Sequence, residues 1–185
     1  MTRLDIAAFV ELLVCWLLWV YPFFRRSREK HEDRTAITAP AAKRGIWLQA
    51  VAFFLVWFRT VRSEPAPMLI AAMVIAPASS ALAWQAVKHL GKQWRIQAGL
   101  YRDHELIRSG PYAMVRHPIY ASMLGMLVAT GLVMAWWPIL IVAIAIFVVG
   151  IEIRIRAEDG LLVSRFGEAF KEYQESVPAY IPFVR

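Results

Sequence analysis

Residues 4–24, LDIAAFVELLVCWLLWVYPFF, form an almost uninterrupted apolar run, and about 20 such residues are what an α-helix needs to cross the hydrocarbon core of a bilayer. In lipid every backbone polar group must be satisfied within the protein, so a run of this kind is helix. The pattern recurs at residues 45–61, 68–90, 118–135 and 138–155. The expected fold is therefore all-α, an integral membrane bundle of about five transmembrane helices. Residues 136–138, Trp-Trp-Pro, leave room only for a tight hairpin between the fourth and the fifth. Composition agrees: 59% hydrophobic residues, a mean hydropathy of +0.47 and eight tryptophans exceed the apolar share of about 45–50% in a soluble domain.

At 185 residues the chain is one domain's worth, so chemistry carried by a separate soluble domain does not fit. The lone Cys15 lies in an apolar run, which excludes a disulfide or a thiolate metal site within the chain. Residues 1–30 lack a clear basic leader, short apolar core and small-residue cleavage site, so the first run reads as a retained span. Pro77 and Ser79-Ser80 interrupt the third span; neighbouring helices can satisfy such sites, and a kink near Pro77 is expected. Asp5 and Glu11 are intramembrane acids with no evident local partner, and such groups are functional candidates by default. The sequence fits a monomer and, equally, a dimer joined through the first helix.

Basic residues orient the bundle. With five spans and the N-terminus outside, the inner face receives seven Lys/Arg from residues 25–44, six from 88–118 and five from 154–185, 18 of the 21 in the chain. Only Arg3, Arg59 and Arg62 fall outside, the bias of the positive-inside rule. The net charge of +7 thus reads as membrane orientation and contact with anionic lipid headgroups, and nucleic acid is a poor partner. The expected location is a multi-pass membrane protein whose working face is cytoplasmic.

Two polar stretches share that face. Residues 97–120, QAGLYRDHELIRSGPYAMVRHPIY, lie between the third and fourth spans, and residues 154–173, RIRAEDGLLVSRFGEAFKEY, follow the fifth. Pro118 suits the first position of a helix, which places Arg116 and His117 where free N–H groups and the helix dipole favour an anion. Arg154 and Glu158 are four apart and share a helix face. Taken singly, each has a plainer reading. Arginines near a span end usually reach to headgroups, an exposed Arg154–Glu158 pair contributes little, and Tyr112 and Tyr120 suit an interface as ordinary aromatics. His31, His89 and an isolated His104 read as solvated. The four histidines show no paired ligand spacing, so no metal is expected.

In combination the motifs are more specific. His104-Glu105-Leu106-Ile107-Arg108-Ser109-Gly110-Pro111-Tyr112, Arg116-His117-Pro118-Ile119-Tyr120, and the spaced set Arg154, Glu158, Asp159, Leu162, Phe166, Gly167, Phe170 and Tyr173 together resemble the isoprenylcysteine carboxyl methyltransferase family, whose wider relatives include phospholipid N-methyltransferases. The ending Val177-Pro178-x-x-Ile181-Pro182-Phe183 is similar to that family's too. The resemblance covers residues 90–185 as the catalytic half of a single domain, 1–185, with residues 1–89 as variable N-terminal spans. It implies an S-adenosylmethionine-dependent methyltransferase, releasing S-adenosylhomocysteine, that acts at the cytoplasmic membrane face on a lipid-like acceptor. By position, Gln97, His104, Glu105, Leu106, Ile107, Tyr112, His117, Pro118, Ile119, Tyr120 and Glu158 would hold the cofactor, and Arg154 would meet the acceptor, making Arg154 and Glu158 the catalytic pair. Three residues depart from the family pattern: Asp159 for a second glutamate, Trp137 for an asparagine in the hairpin and Ala179 for a basic residue after the terminal Val-Pro.

The side chains suit that chemistry. The methyl donor brings its own electrophile, so the protein must bind, orient and exclude water. An acceptor carboxylate oriented by Arg154 is the favoured reading. A lipid amine is the alternative and would need a base to take its proton, for which Glu105 or Asp159 is placed. A non-catalytic scaffold or transporter is the alternative of another class; transport would call for polar groups at mid-membrane, whereas here they gather at one face.

Overall fold

The computed structural model describes residues 2–28, 37–38, 42–57, 64–91, 99–100 and 105–181. Among these residues six helices carry the fold: α1 (Arg3–Arg28), α2 (Ala42–Val56), α3 (Ala66–Leu90), α4 (Pro118–Met134), α5 (Trp137–Phe166) and α6 (Glu168–Ser176). Two short strands, β1 (Ile37–Thr38) and β2 (Gly99–Leu100), pair antiparallel with Ile37 opposite Leu100. Among the described residues three helices are long and apolar enough to cross a membrane, namely α1 over Arg3–Arg25, α3 and α5, and α4 is a shorter apolar helix. The chain is thus built as a multi-pass membrane protein. Two of the five expected spans are short: α4 has 17 residues, and α2 has 15, about 22 Å of helix against a core of about 30 Å. Residues 58–61 of the expected second span lie outside the described residues.

The bundle packs by small residues and shared hydroxyls. α3 lies along α1 and α4, and α5 lies along α2. Several polar groups within the apolar layer are paired between helices, which meets the demand of lipid for internal partners. Ser80 Oγ donates to the Cys15 carbonyl at 3.0 Å, Trp84 Nε1 to the Leu18 carbonyl at 2.7 Å and Trp16 Nε1 to Thr130 Oγ1 at 3.0 Å. α3 runs as one helix through Pro77. Where α2 crosses α5, Gly45 meets Gly150: a Cβ on Gly45 would sit 2.5 Å from the Gly150 carbonyl oxygen and 2.6 Å from Arg154 Cγ. Outward faces are apolar, with Leu17, Phe24, Trp47 and Val74 all largely exposed, as residues bathed in lipid should be.

One expectation changes and another is extended. Asp5 has a local partner after all: its carboxylate accepts from Thr2 Oγ1 at 3.0 Å while its own N–H donates to Thr2 Oγ1 at 3.1 Å. This reciprocal arrangement closes the first turn of α1, so an acid near the membrane end has a capping role. The fifth apolar span ends near Ile155, and its helix, which carries Glu158 as expected, runs further than the motif required, through the charged residues to Phe166. Gly167, with φ +55°, then turns the chain into α6, a conformation that a side chain would strain. α6 buries Phe170 and Tyr173, a spacing of three that puts both on one helix face.

Candidate active site

The extended α5 and the start of α4 build the site together. His117 immediately precedes α4, and its Nε2 donates to Asp159 Oδ1 on α5 at 2.9 Å; its Nδ1 lies 3.6 Å from Glu158 Oε2. One turn into α4, the Tyr120 hydroxyl donates to Glu158 Oε1, and the Tyr120 ring stacks on His117 with centroids 5.6 Å apart. The Arg154 guanidinium lies over the Tyr120 ring, 4.8 Å from its centroid, and 3.9 Å from Glu158 Oε1. Arg154 is buried at 9% exposure. Such an arginine is held by ion pairing and by ring contact, and is not a headgroup-seeking surface residue.

Asp159 is the more tightly held of the two acids. Besides His117 it accepts from Gln174 Nε2 at 3.0 Å and lies 3.6 Å from Arg116. Its side chain is 13% exposed against 23% for Glu158. Asp159 therefore orients His117, and Glu158 is the carboxylate with a face still open to a cation. That division of labour also makes Asp159 a less ready base, since each of its oxygens already accepts a hydrogen bond and the Arg116 cation lies beside it.

A second layer comes from α6 and the segment after it. The Tyr173 hydroxyl donates to the Tyr112 carbonyl, and Arg108 donates to the Ala169 carbonyl while its guanidinium lies 5.4 Å from the Tyr173 ring centroid. Burial pushes the Tyr112 phenol well up, with Glu158 and Tyr173 adding to it. Burial likewise pushes Tyr173 up to about 12, partly opposed by Arg116 and Arg108; both stay neutral donors. The backbone N–H groups of Arg116 and His117 donate to the carbonyls of Pro178 and Ala179 at 2.9 and 2.8 Å. These two donors, expected to face an anion, are thus taken by the chain itself. Ile119 and Tyr120 retain N–H groups with no intrahelical acceptor in the first turn of α4. Tyr180 closes the segment by donating to Glu152 Oε1 at 3.1 Å.

The structure therefore brings together His117, Pro118, Tyr120, Arg154 and Glu158 of the expected set, with Tyr112 beneath α6 and Ile119 half-buried. Glu105 is exposed, and Leu106 and Ile107 are half-buried on an irregular segment leading to a 3-10 turn over Gly110–Ala113. Gln97 and His104 lie outside the described residues. Sequence reasoning passed over Gln49, whose Oε1 accepts from Arg154 Nη1 at 2.8 Å. The available signal was a single carboxamide in an apolar run, which is a functional pointer in a membrane segment.

The donor set fits S-adenosylmethionine. Glu158 offers a half-open carboxylate to an ammonium, the first turn of α4 offers N–H groups to a carboxylate, and the stacked rings of His117 and Tyr120 offer faces to an adenine or a sulfonium.

Comparison with known proteins gives the same direction. Residues 69–164 match the isoprenylcysteine carboxyl methyltransferase family, so the match takes in all but the first turn of α3 and ends before Phe166. Protein-S-isoprenylcysteine O-methyltransferase of Schizosaccharomyces pombe is 30% identical over 83 residues, 45% of this chain and 35% of that protein. Protein-S-isoprenylcysteine O-methyltransferase A of Arabidopsis thaliana is 34% identical over 118 residues, 63% of this chain and 57% of that protein. The nickel-cobalt-cadmium resistance protein NccN of Alcaligenes xylosoxydans xylosoxydans is 28% identical over 161 residues, 80% of this chain and 72% of its own length. The aligned stretches thus span about a third of the yeast relative and just over half of the plant one. With just over half of its 185 residues inside the family match, the chain belongs to the isoprenylcysteine carboxyl methyltransferase family.

Proposed function

We propose that this chain is an S-adenosylmethionine-dependent methyltransferase that esterifies a lipid-borne carboxylate at the cytoplasmic face of the membrane. The observation that carries it is the line Glu158, Tyr120, Arg154. A half-open acid for a cationic cofactor and a buried cation for an anionic acceptor sit on one helix, four residues apart, bridged by one aromatic ring.

The cofactor supplies an electrophilic methyl group on sulfur. In the proposed transfer a carboxylate oxygen forms the new C–O bond as the S–C bond breaks, and the electron pair of that bond stays on sulfur, so no proton moves. The protein's share is placement. Glu158 would take the cofactor's ammonium, and His117, fixed by Asp159, would set the floor against which the cofactor rests. Arg154 would hold the acceptor carboxylate off the reaction axis. Burial of this cluster excludes water and strengthens each charge contact, and holding two reactants in line is itself a large part of such catalysis. Five spans with the N-terminus outside would put the site on the inner leaflet, where an acceptor tail enters sideways from lipid.

The lipid amine alternative loses ground on a specific contact: Asp159, a candidate base, is committed to His117, Gln174 and Arg116. A second reading, in resistance to divalent metals, is favoured by the coverage of the NccN alignment. One experiment separates the readings. Purified chain is incubated with methyl-labelled S-adenosylmethionine and a total lipid extract, and the labelled product is identified. A base-labile methyl ester supports the proposal. A labelled amine lipid moves the chain to N-methylation, and no labelled lipid, together with metal tolerance conferred on a host cell, supports the resistance reading.

A further inference from the structure

Gln49 sits mid-way along α2 between Leu48 and Ala50 and is only 2% exposed. A carboxamide in such a place is unfavourable unless its groups are paired. Half of it is paired, through the 2.8 Å bond that Arg154 Nη1 donates to Oε1. Because a guanidinium can only donate, this bond also decides which arm of the amide is oxygen. The other arm, Nε2, is buried with no hydrogen-bond partner among the described residues. It belongs to the same small planar group, so it lies within about 5 Å of the guanidinium. The contact exists because of the glycine crossing: Gly45 and Gly150 meet backbone to backbone, and each carries its polar residue four positions on, on the same helix face.

The chemistry of an amide here differs from that of an acid. Gln49 holds Arg154 in place without cancelling its charge, and it adds a donor of its own. Two donors, one of them cationic, match an oxyanion. A protonated amine would meet like charge at Arg154 and leave Nε2 without an acceptor. Gln49 also precedes the residues that match the family, 69–164, so the resemblance says nothing of it.

We infer that Gln49 is a specificity-determining residue for the methyl acceptor, positioning Arg154 and contributing Nε2–H to the same carboxylate, so that the pair takes an acid and rejects a lipid ammonium. The inference rests on the carboxylate reading given above and names the group that enforces it.

The test uses the full chain in phosphatidylcholine nanodiscs, with N-acetyl-S-farnesylcysteine and phosphatidylethanolamine as acceptors. Gln49→Met keeps the length of the side chain and removes both polar groups. Gln49→Glu keeps an acceptor for Arg154, removes the donor and neutralises the cation. The expected result is a KM for the acid raised at least about tenfold in Gln49→Met and further in Gln49→Glu, with S-adenosylhomocysteine affinity by calorimetry within about twofold of the parent. Calorimetric binding of the acid itself, free of turnover, falls in the same order. Gln49→Met places an apolar side chain in an apolar crossing, so it carries the test if Gln49→Glu does not insert. An unchanged KM for the acid, or a loss of cofactor affinity in step with it, overturns the inference while O-methylation by the parent leaves the proposed function standing. A parent that methylates only phosphatidylethanolamine, or neither acceptor, overturns the proposed function and the inference together.

Discussion

Gly45 and Gly150, on helices that meet over much of their length, touch through their backbones: a Cβ on Gly150 would lie 2.9 Å from the Gly45 carbonyl oxygen. Close approach through glycines is a common way for helices to pack in lipid, where no hydrophobic driving force joins them. Here the approach has a polar payload, because it sets the distance between Gln49 and Arg154.

Gly45→Ala should therefore separate α2 from α5. The added methyl meets backbone and the Arg154 stem, and overpacking of this kind costs about 1–3 kcal/mol. Thermal unfolding in detergent checks it, with Gly160→Ala as the control. Among the described residues nothing lies within 4 Å of a Cβ at Gly160, so that exchange should be neutral or stabilise by about 0.5–1 kcal/mol. Equal melting temperatures for the two variants would contradict the crossing.

Arg154 and Glu158 share one face but should fail in different assays. Arg154→Ala is expected to abolish turnover and leave S-adenosylhomocysteine binding nearly intact. Glu158→Ala should lower that affinity by about ten- to a hundredfold, the loss of a charge-assisted contact. Titration calorimetry beside a methyl-transfer assay separates them, and parallel losses in both variants would refute the assigned roles.

Tyr173 carries a pH signature. Its phenol is pushed up from 10.0 to about 12, first by burial, so the folded protein favours the neutral form. The stabilisation is fully present below the unfolded value near 10 and is lost as pH rises through about 12. Tyr173→Phe should remove part of that alkaline loss. It should also cost about 1 kcal/mol at neutral pH, through the missing bond to the Tyr112 carbonyl. Melting curves across the alkaline range test both, and an unaltered pH slope would show that Tyr173 does not supply it.

Truncation after Ser176 should free the N–H groups of Arg116 and His117 from the Pro178 and Ala179 carbonyls. The expected outcome is helical content close to that of the intact chain by circular dichroism, with S-adenosylhomocysteine affinity lowered by at least about tenfold, as two buried hydrogen bonds are lost. Unimpaired cofactor binding would show that the terminal segment does not hold the His117 turn.

The helices were legible in the sequence wherever the apolar run was long, because hydropathy alone marks a lipid-facing helix. Past Ile155 that signal ends, and Arg156, Glu158 and Asp159 look as much like a loop as a helix. The continuation of α5 shows only in spacings such as Arg154 to Glu158. In the site, His117 and Glu158 come together across 40 intervening residues, and no local pattern announces that; the motif resemblance did. Gln49 was visible as an odd residue, yet an isolated carboxamide does not name its partner. The pairing of residues 116–117 with 178–179 is backbone to backbone, and main-chain partners leave no mark on side-chain chemistry.

That pairing bears on how the protein comes into being. During synthesis the His117 turn is made well before its main-chain acceptors, so its backbone donors stay open while α4 and α5 are added. Residues 178 and 179 follow both α5 and α6 in the chain, so the two acceptors are the last part of this pairing to be made. A chain synthesised only as far as α5 would therefore hold its helices while the His117 turn still lacks the two carbonyls that close it.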